Sequence, residues 1–167
     1  MNVLRFVSVL VLTLAWHPLA HAADGGLTEN PAVTKDVLAV VQRFFDAMAA
    51  RDPVACKATL APEGQMQALN EATDAAPGFR VLGDFADRLP TLKQRPLERI
   101  WNPAVLVQGR IAIVWAPYDF HRDGRFSHSG IDVFTLMQVG GEWKIVSLAF
   151  TMQPNVPSQH PAGPPPG

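Results

Sequence analysis

The chain holds one cysteine, Cys56, in 167 residues. An internal disulfide is therefore excluded, and the fold has to stand on its hydrophobic core. Cys56 sits among Val54, Ala55, Ala58 and Leu60 and reads as a buried core thiol rather than a reactive one. Charge is also sparse. Charged residues make up 17% of the chain and the formal net charge is −1. No basic surface is available for nucleic acid, so none is expected as a partner. There is no glycine-rich phosphate loop and no Gly-x-Ser-x-Gly elbow. No His-x-His or Cys-x-x-Cys pair offers metal-ligand spacing, so neither a metal nor another cofactor is expected. Long apolar runs are rare as well. The one that exists, Phe6 to Trp16, follows Arg5 and precedes Pro18 and Ala20-His21-Ala22. That is the pattern of a secretory signal over residues 1–22, cleaved after Ala22, and the run is too short for an ordinary membrane span. The expected product is exported, periplasmic or extracellular, and free of the membrane once cleaved.

What is present is a globular balance, with 48% hydrophobic residues. Residues 23–30 read as a flexible lead-in. Asn30 is a good N-cap and Pro31 fits a first helical position. Val33, Val37, Val40, Val41, Phe44, Phe45 and Met48 then form one helical stripe. Arg51-Asp52-Pro53 stops that helix, and Pro53 opens a short second one to Leu60. Ala61-Pro62-Glu63-Gly64 reads as its end, and Gln65 to Asn70 as a short strand. A third helical stripe runs from Phe79 to Leu92, closed by Pro96. From Leu97 the period changes to two. Leu97–Trp101 and Ala104–Gln108 read as one strand interrupted at Asn102-Pro103. Arg110 to Met152 then reads as three long strands joined at Asp123-Gly124 and Gly140-Gly141. The tail, 154–167, is proline-rich and reads as disordered. The domain is thus 31–153, of α+β class, with three N-terminal helices packed on one face of a curved antiparallel sheet.

With uninterrupted hairpins, Asp119 faces His128, Trp115 faces Asp132 and Phe134 faces Ser147. One sheet face then gathers Trp115, Asp119, His128, Asp132 and Phe134, with Gly130 and Ala149 leaving space. The other carries Ala112, Val114, Ala116, Tyr118, Val133, Leu148 and Phe150 and is apolar. A mixed face of this kind suits a ligand pocket. Asp132, set between Ile131 and Val133, has two readings. It is either a desolvated carboxyl that meets a ligand as donor, acid or base, or a structural aspartate bonded to a tryptophan N–H or a helix end. His128 lies about 13 Å from Asp132 at a rise of roughly 3.3 Å per residue, too far for a dyad. Asp119 and His128 read as a cross-strand pair near the pocket rim. Asp119, His121 and His128 meet at one hairpin end but lack a recognised ligand spacing.

The stretch VWAPYDF, the segment FSHSGID, the closing GEWKI and the helix ending FFDAMAARD together resemble the nuclear transport factor 2-like superfamily. The resemblance falls in its SnoaL-like or putative lumazine-binding branch and covers about Ala32 to Met152. It implies a cone, in which a curved sheet wraps over helices around a pocket. It also implies a homodimer through the sheet, where Tyr118, Val133 and Leu148 would lie. Ile131-Asp132-Val133 is similar to the Ile-Asp-Val of ketosteroid isomerases, whose aspartate donates to the substrate oxyanion. The isomerase's oxyanion tyrosine corresponds to Phe44 and its catalytic base to about Ala68, so steroid-isomerase activity is rejected. Three functions stay open. The first is an exported protein that binds a small apolar or aromatic ligand through Trp115, Asp119, His128, Asp132, Phe134 and Phe44. The second is an acid–base enzyme of the cyclase, isomerase or dehydratase kind, with Asp132 and His128 as catalytic residues. The third is a dimeric interaction module with a vestigial pocket. Fractionation of cells expressing the full chain checks the export expectation: mature protein beginning at Ala23 outside the cytosol is the expected result, and full-length protein confined to the cytosol contradicts it.

Overall fold

The computed structural model describes residues 30–165, so the signal and nearly all of the lead-in lie outside the described residues. Helix α1 spans Pro31–Ala50, and the Asn30 side chain accepts hydrogen bonds from the N–H groups of Ala32 and Val33. Arg51 takes a left-handed conformation (φ 57°) and ends it. Helix α2, Pro53–Ala58, is capped in the same way by Asp52. Strand β1, Leu60–Asn70, absorbs Ala61–Gly64, which reads as a turn in sequence; its register breaks there, between Leu60 and Gln65. Phe79 belongs to strand β2, Gly78–Val81, where it pairs with Gln67, and not to the helix. Helix α3, Leu82–Arg88, and a 3-10 turn, Leu89–Thr91, complete the helical side. Strands β3 (Pro96–Ile100) and β4 (Ala104–Gln108) both pair with β5 (Ile111–Arg122), as an interrupted strand should. Strands β6 (Arg125–Val139) and β7 (Glu142–Met152) follow.

The sheet runs β2-β1-β7-β6-β5-β3, with β4 also on β5. It is curved, unclosed and mixed rather than wholly antiparallel, because β1 lies parallel to β7. The apolar stripe of α1 packs on its inner face. There Phe44 and Phe45 meet Phe134 edge-on, with ring centroids 6.1 and 5.7 Å away.

Register differs from that of uninterrupted hairpins. Arg122 pairs with Arg125 around Asp123 (φ 50°) and Gly124 (φ 74°), the positive-φ pair that a two-residue turn needs. His121 then pairs with Phe126, but Phe120 pairs with His128. Ser127 is the extra residue of a β-bulge. Beyond it the partners shift by one: Asp119 faces Ser129, Trp115 faces Val133 and Val114 faces Phe134. A second bulge leaves Val146 unpaired, so Phe134 faces Leu148 and Asp132 faces Phe150. The inner face therefore carries Ala112, Val114, Ala116, Tyr118 and Phe120 together with His128, Asp132 and Phe134. Trp115 and Asp119 lie on the outer face. Gly130 leaves no space either. A Cβ there would collide with the Thr151 carbonyl oxygen and sit 2.9 Å from the Tyr118 ring, whose hydroxyl donates a hydrogen bond to that same oxygen at 2.8 Å.

The proline-rich tail makes contacts with the outer face over its described residues. Gln153 donates to the Ser129 carbonyl at 2.7 Å, and the Ser129 hydroxyl donates to the Val156 carbonyl at 2.9 Å. The Ser158 hydroxyl donates to the Asp119 carboxylate, and Arg99 donates to the Gly163 carbonyl at 2.9 Å. His160 meets Trp101 edge-on at 5.5 Å. Proline removes backbone donors but keeps its carbonyls, and the outer face supplies polar groups that hold this segment as a strap. Its anchor is Asp119, fully buried and gripped by the Arg99 guanidinium through both oxygens. Asp119→Ala should cost about 3 kcal/mol, because it leaves a largely desolvated guanidinium unpaired, and should free the strap. Urea unfolding and limited proteolysis check this; a strap that resists protease as before would contradict the anchoring role.

Candidate functional site

Between α1, α3 and the inner face lies a cavity of about 350 Å³. Its walls are apolar: Phe44 and Met48 from α1, Phe85 from α3, and Phe120, Phe150 and Met152 from the sheet. The α1 stripe puts Phe44 here because the same helical face that builds the core runs out over the cavity. Glu98, Tyr118, His128 and Arg122 from the sheet reach the lining, with Lys93 and Gln94 beside them. Lys93 and Arg122 stand exposed at its rim.

Each of these polar groups has its chemistry set by its neighbours. Tyr118 spends its hydroxyl proton on Thr151, and burial with the adjacent Asp132 and Glu98 carboxyls pushes its pKa far up, so it stays neutral. His128 stacks on Phe120 at 5.1 Å, and its Nδ1 lies 3.0 Å from the Ser127 hydroxyl. Burial, helped by the Arg122 charge, lowers its pKa to about 4, so it is a neutral imidazole near pH 7. Glu98 is half-buried and pairs with Phe120 across the β3–β5 ladder. Burial raises it to about 7, against the lowering effect of a hydrogen bond from Asp132.

Asp132 lies behind Glu98. It is 1% exposed, and neither carboxyl oxygen receives a bond from any N–H or O–H among the described residues. Its neighbour is another carboxyl. Two ionised carboxylates can only accept, so the pair becomes hydrogen-bonded only when one of them holds a proton. Burial, and then the charge of Glu98, raise Asp132 well above the usual carboxylate range. Asp132 is therefore the protonated member and Glu98 the member that faces the cavity and titrates near neutrality.

The residues singled out from sequence separate. Phe44 and His128 line the cavity, and Asp132 backs it through Glu98. Phe134 is buried in the core beneath, against Phe44 and Phe45. Trp115 is 45% exposed on the outer face, where it pairs with Ala104 and Val133, and so lies away from the cavity. Asp119 is also on the outer face, held by Arg99 and Ser158, with His121 Nδ1 3.7 Å away. Burial pushes the Asp119 carboxyl up, but the Arg99 fork and the Ser158 hydroxyl outweigh that and hold it below its ordinary range. The cross-strand partner of His128 is Phe120 instead of Asp119, because of the bulge at Ser127. Cys56 is buried, and desolvation raises its thiol to about 11, as suits an inert core cysteine. Glu98 was not evident in the sequence. Its signal was the alternation Pro96, Glu98, Ile100 on a strand whose opposite side carries Arg99, and only pairing with Phe120 turns that side inward.

A sheet curved over helices around a lined cavity is the architecture of the nuclear transport factor 2-like superfamily, and this chain is a member. The family described as "Putative lumazine-binding" matches residues 32–151, and the chain belongs to it. Solved structures of the same fold include a nuclear transport factor 2-like protein from Salmonella enterica, at 16% identity and TM-score 0.60, covering 78% of this chain and 97% of the other. A protein of unknown function with a cystatin-like fold from Nostoc punctiforme gives 12% identity and TM-score 0.61 over 78% and 97% of the two chains. A nuclear transport factor 2-like protein of unknown function from Silicibacter pomeroyi gives 19% identity and TM-score 0.55 over 74% and 98%. Comparison with curated proteins gives no match.

The carboxyl pair makes a stability prediction. An acid whose pKa is raised on folding stabilises the protein at low pH, and that contribution is lost as pH climbs from the ordinary carboxylate range through the folded value. For Glu98 this window runs from 4.5 to about 7. Glu98→Gln removes the loss, so its thermal midpoint should gain on the parent protein between about pH 5 and about pH 8. Thermal unfolding across that range checks it; an equal shift at both ends would remove Glu98 as the titrating group.

Proposed function

We propose that this chain is an exported binding protein for a small, mostly apolar or aromatic molecule, held in the cavity between α1 and the inner sheet face. The observation that carries this reading is the buried Glu98–Asp132 carboxyl pair behind apolar walls, with both Asp132 oxygens lacking a donor. A desolvated carboxyl pair that shares one proton still has acceptor sites unfilled, and a ligand that supplies a hydrogen-bond donor fills one of them. The family description names lumazine, whose heteroaromatic ring is one candidate for such a site. A second reading, an acid–base enzyme, is favoured by one observation: Glu98 titrates at about 7, where a general acid or base works best. In that reading Glu98 meets the substrate, Asp132 sets its proton affinity and His128 assists as a neutral imidazole. Steroid-isomerase chemistry stays excluded from the proposal, since Phe44 brings no hydroxyl to the cavity.

Self-association belongs to the same proposal. Leu106, Ile113 and Trp115 are exposed next to one another on the outer face, an apolar patch that a second copy of the chain would cover.

Native mass spectrometry of protein purified from the exported fraction tests the binding reading. The expected result is a retained small molecule that Asp132→Asn holds several-fold more weakly, the scale of disturbing one hydrogen bond behind the contact residue Glu98. Retention at unchanged affinity would remove Asp132 from the site.

A further inference from the structure

The walls and the polar groups of the cavity together define a charge preference. Resting on the binding reading above, we propose that the cavity selects an organic monocation, a protonated amine on an aromatic or aliphatic body, with the ammonium against Glu98, which Asp132 backs, and the body among the phenylalanine rings.

Three features point this way. First, the carboxyl pair presents Glu98 to the cavity as an acceptor. Asp132 is 1% exposed with both oxygens undonated, Glu98 lines the cavity in front of it, and the nearest hydroxyl, Tyr118, is already committed to Thr151. Second, no cation among the described residues is bonded to the pair, although Lys93 and Arg122 also reach the lining. Arg99, the next residue along β3, points to the outer face and is occupied by Asp119 and the Gly163 carbonyl. His128 lies in the lining but is neutral near pH 7, since burial lowers it to about 4. Lys93 and Arg122 stay exposed at the rim, where a solvated ion pair with an anionic ligand would gain little. Third, the walls suit a cation. Phe44, Phe85 and Phe150 line the same space, and ring quadrupoles attract ammonium groups more strongly once both are out of water; the Phe120 ring is already stacked on His128 and carries the Arg122 guanidinium 5.7 Å from its centroid.

Binding of such a cation is linked to one proton. With Glu98 protonated, the ammonium displaces that proton to solvent and pairs with the carboxylate left behind; with Glu98 already ionised, none is released. The charged and titratable groups facing Glu98 are Asp132 from β6, Tyr118 from β5, His128 from β6, and Arg122 and Lys93 at the rim, with Asp119 acting through β5 from the outer face. Of these, Glu98 itself changes charge near neutrality, at about 7. Affinity for an ammonium should therefore rise about tenfold from about pH 6 to about pH 8.

The test is an amide chemical-shift titration of the mature protein with three probes of one shape: phenethylamine as the cation, phenethyl alcohol as the neutral isostere and hydrocinnamate as the anion. The expected result is that phenethylamine binds most tightly, shifts amides of β3, β5 and β6 around the cavity, and gains about tenfold between those two pH values. Glu98→Gln should flatten that pH dependence, and Asp132→Asn should move the pH at which it occurs. Alcohol or carboxylate binding as tightly as the amine at the same amides overturns the cation preference and leaves the binding reading standing. No cavity shifts with any probe at millimolar concentration overturns both. An amine affinity independent of pH in the parent protein overturns the role given to Glu98 and with it this inference.

Discussion

The β-bulge at Ser127 decides what each face of the sheet contains. One extra residue in β6, set between the partners of His121 and Phe120, moves the pairing of the two longest central strands by one. Side chains alternate with a period of two, so a shift of one exchanges faces along a whole strand. Without the bulge, Trp115, Asp119 and Asp132 would share a surface. With it, Tyr118 and Phe120 join His128 and Asp132 against the helices, and Asp119 and His121 turn outward. The cavity, the carboxyl pair and the strap over the outer face all follow from that one insertion. The bulge stands two residues beyond a tight Asp123-Gly124 turn, where local twist is already high, which is a common position for such irregularities.

Two aspartates on neighbouring strands show how differently the fold treats the same side chain. Asp119 and Asp132 are both fully buried. Asp119 meets a guanidinium fork and a hydroxyl, and its carboxyl is held in the ionised form. Asp132 meets aromatic rings and a second carboxyl, and its carboxyl is held neutral. The first arrangement is complete: every lone pair that matters has a donor, and its product is the attachment of the strap. In the second, the proton that one carboxyl holds bonds it to the other. Burial alone therefore does not set the charge of a carboxyl; its partners do.

Much of this was legible beforehand, and the limits have physical causes. The two capped helices were readable because Asn30-Pro31 and Asp52-Pro53 act locally, through side-chain oxygens bonded to N–H groups two and three residues on. The hairpins were readable because Asp123-Gly124 and Gly140-Gly141 supply positive φ. Strand β1 was legible only in its second half, since Pro62 and Gly64 carry turn chemistry that pairing with β7 overrides. Bulges leave almost no local mark: Ser127 and Val146 are ordinary strand residues, and the choice to extrude them comes from packing on both sides of the sheet. An unbroken ladder sets Trp115 opposite Asp132, and the bulge replaces it with Ala116. Glu98 is hard to read because its strand is short, carries its two charged residues side by side and joins β5 far along the sequence. The tail shows a similar limit. Proline content reports the absence of ladder donors, but its carbonyls and Ser158 remain able to bond to a surface that the sequence of the tail does not describe.

Glu98 and Arg99 bring the two faces together. They are adjacent on β3, which lies at the end of the strand order, so one side chain enters the cavity while the next reaches the outer face. Arg99 bonds both oxygens of Asp119, and Asp119 and Arg99 together hold the strap at Ser158 and Gly163. An end strand is held by hydrogen bonds on one side, and its position is the least constrained in the sheet. The outer-face ion pair supplies β3 with a second fixing, through side chains, to the strand it already pairs with. That fixing is what allows a carboxyl on an end strand to be kept against Asp132 despite the cost of desolvating both. The residues that hold the strap are therefore also the residues that set the geometry of the carboxyl pair, and loosening one should widen the other even though no side chain of the strap lines the cavity.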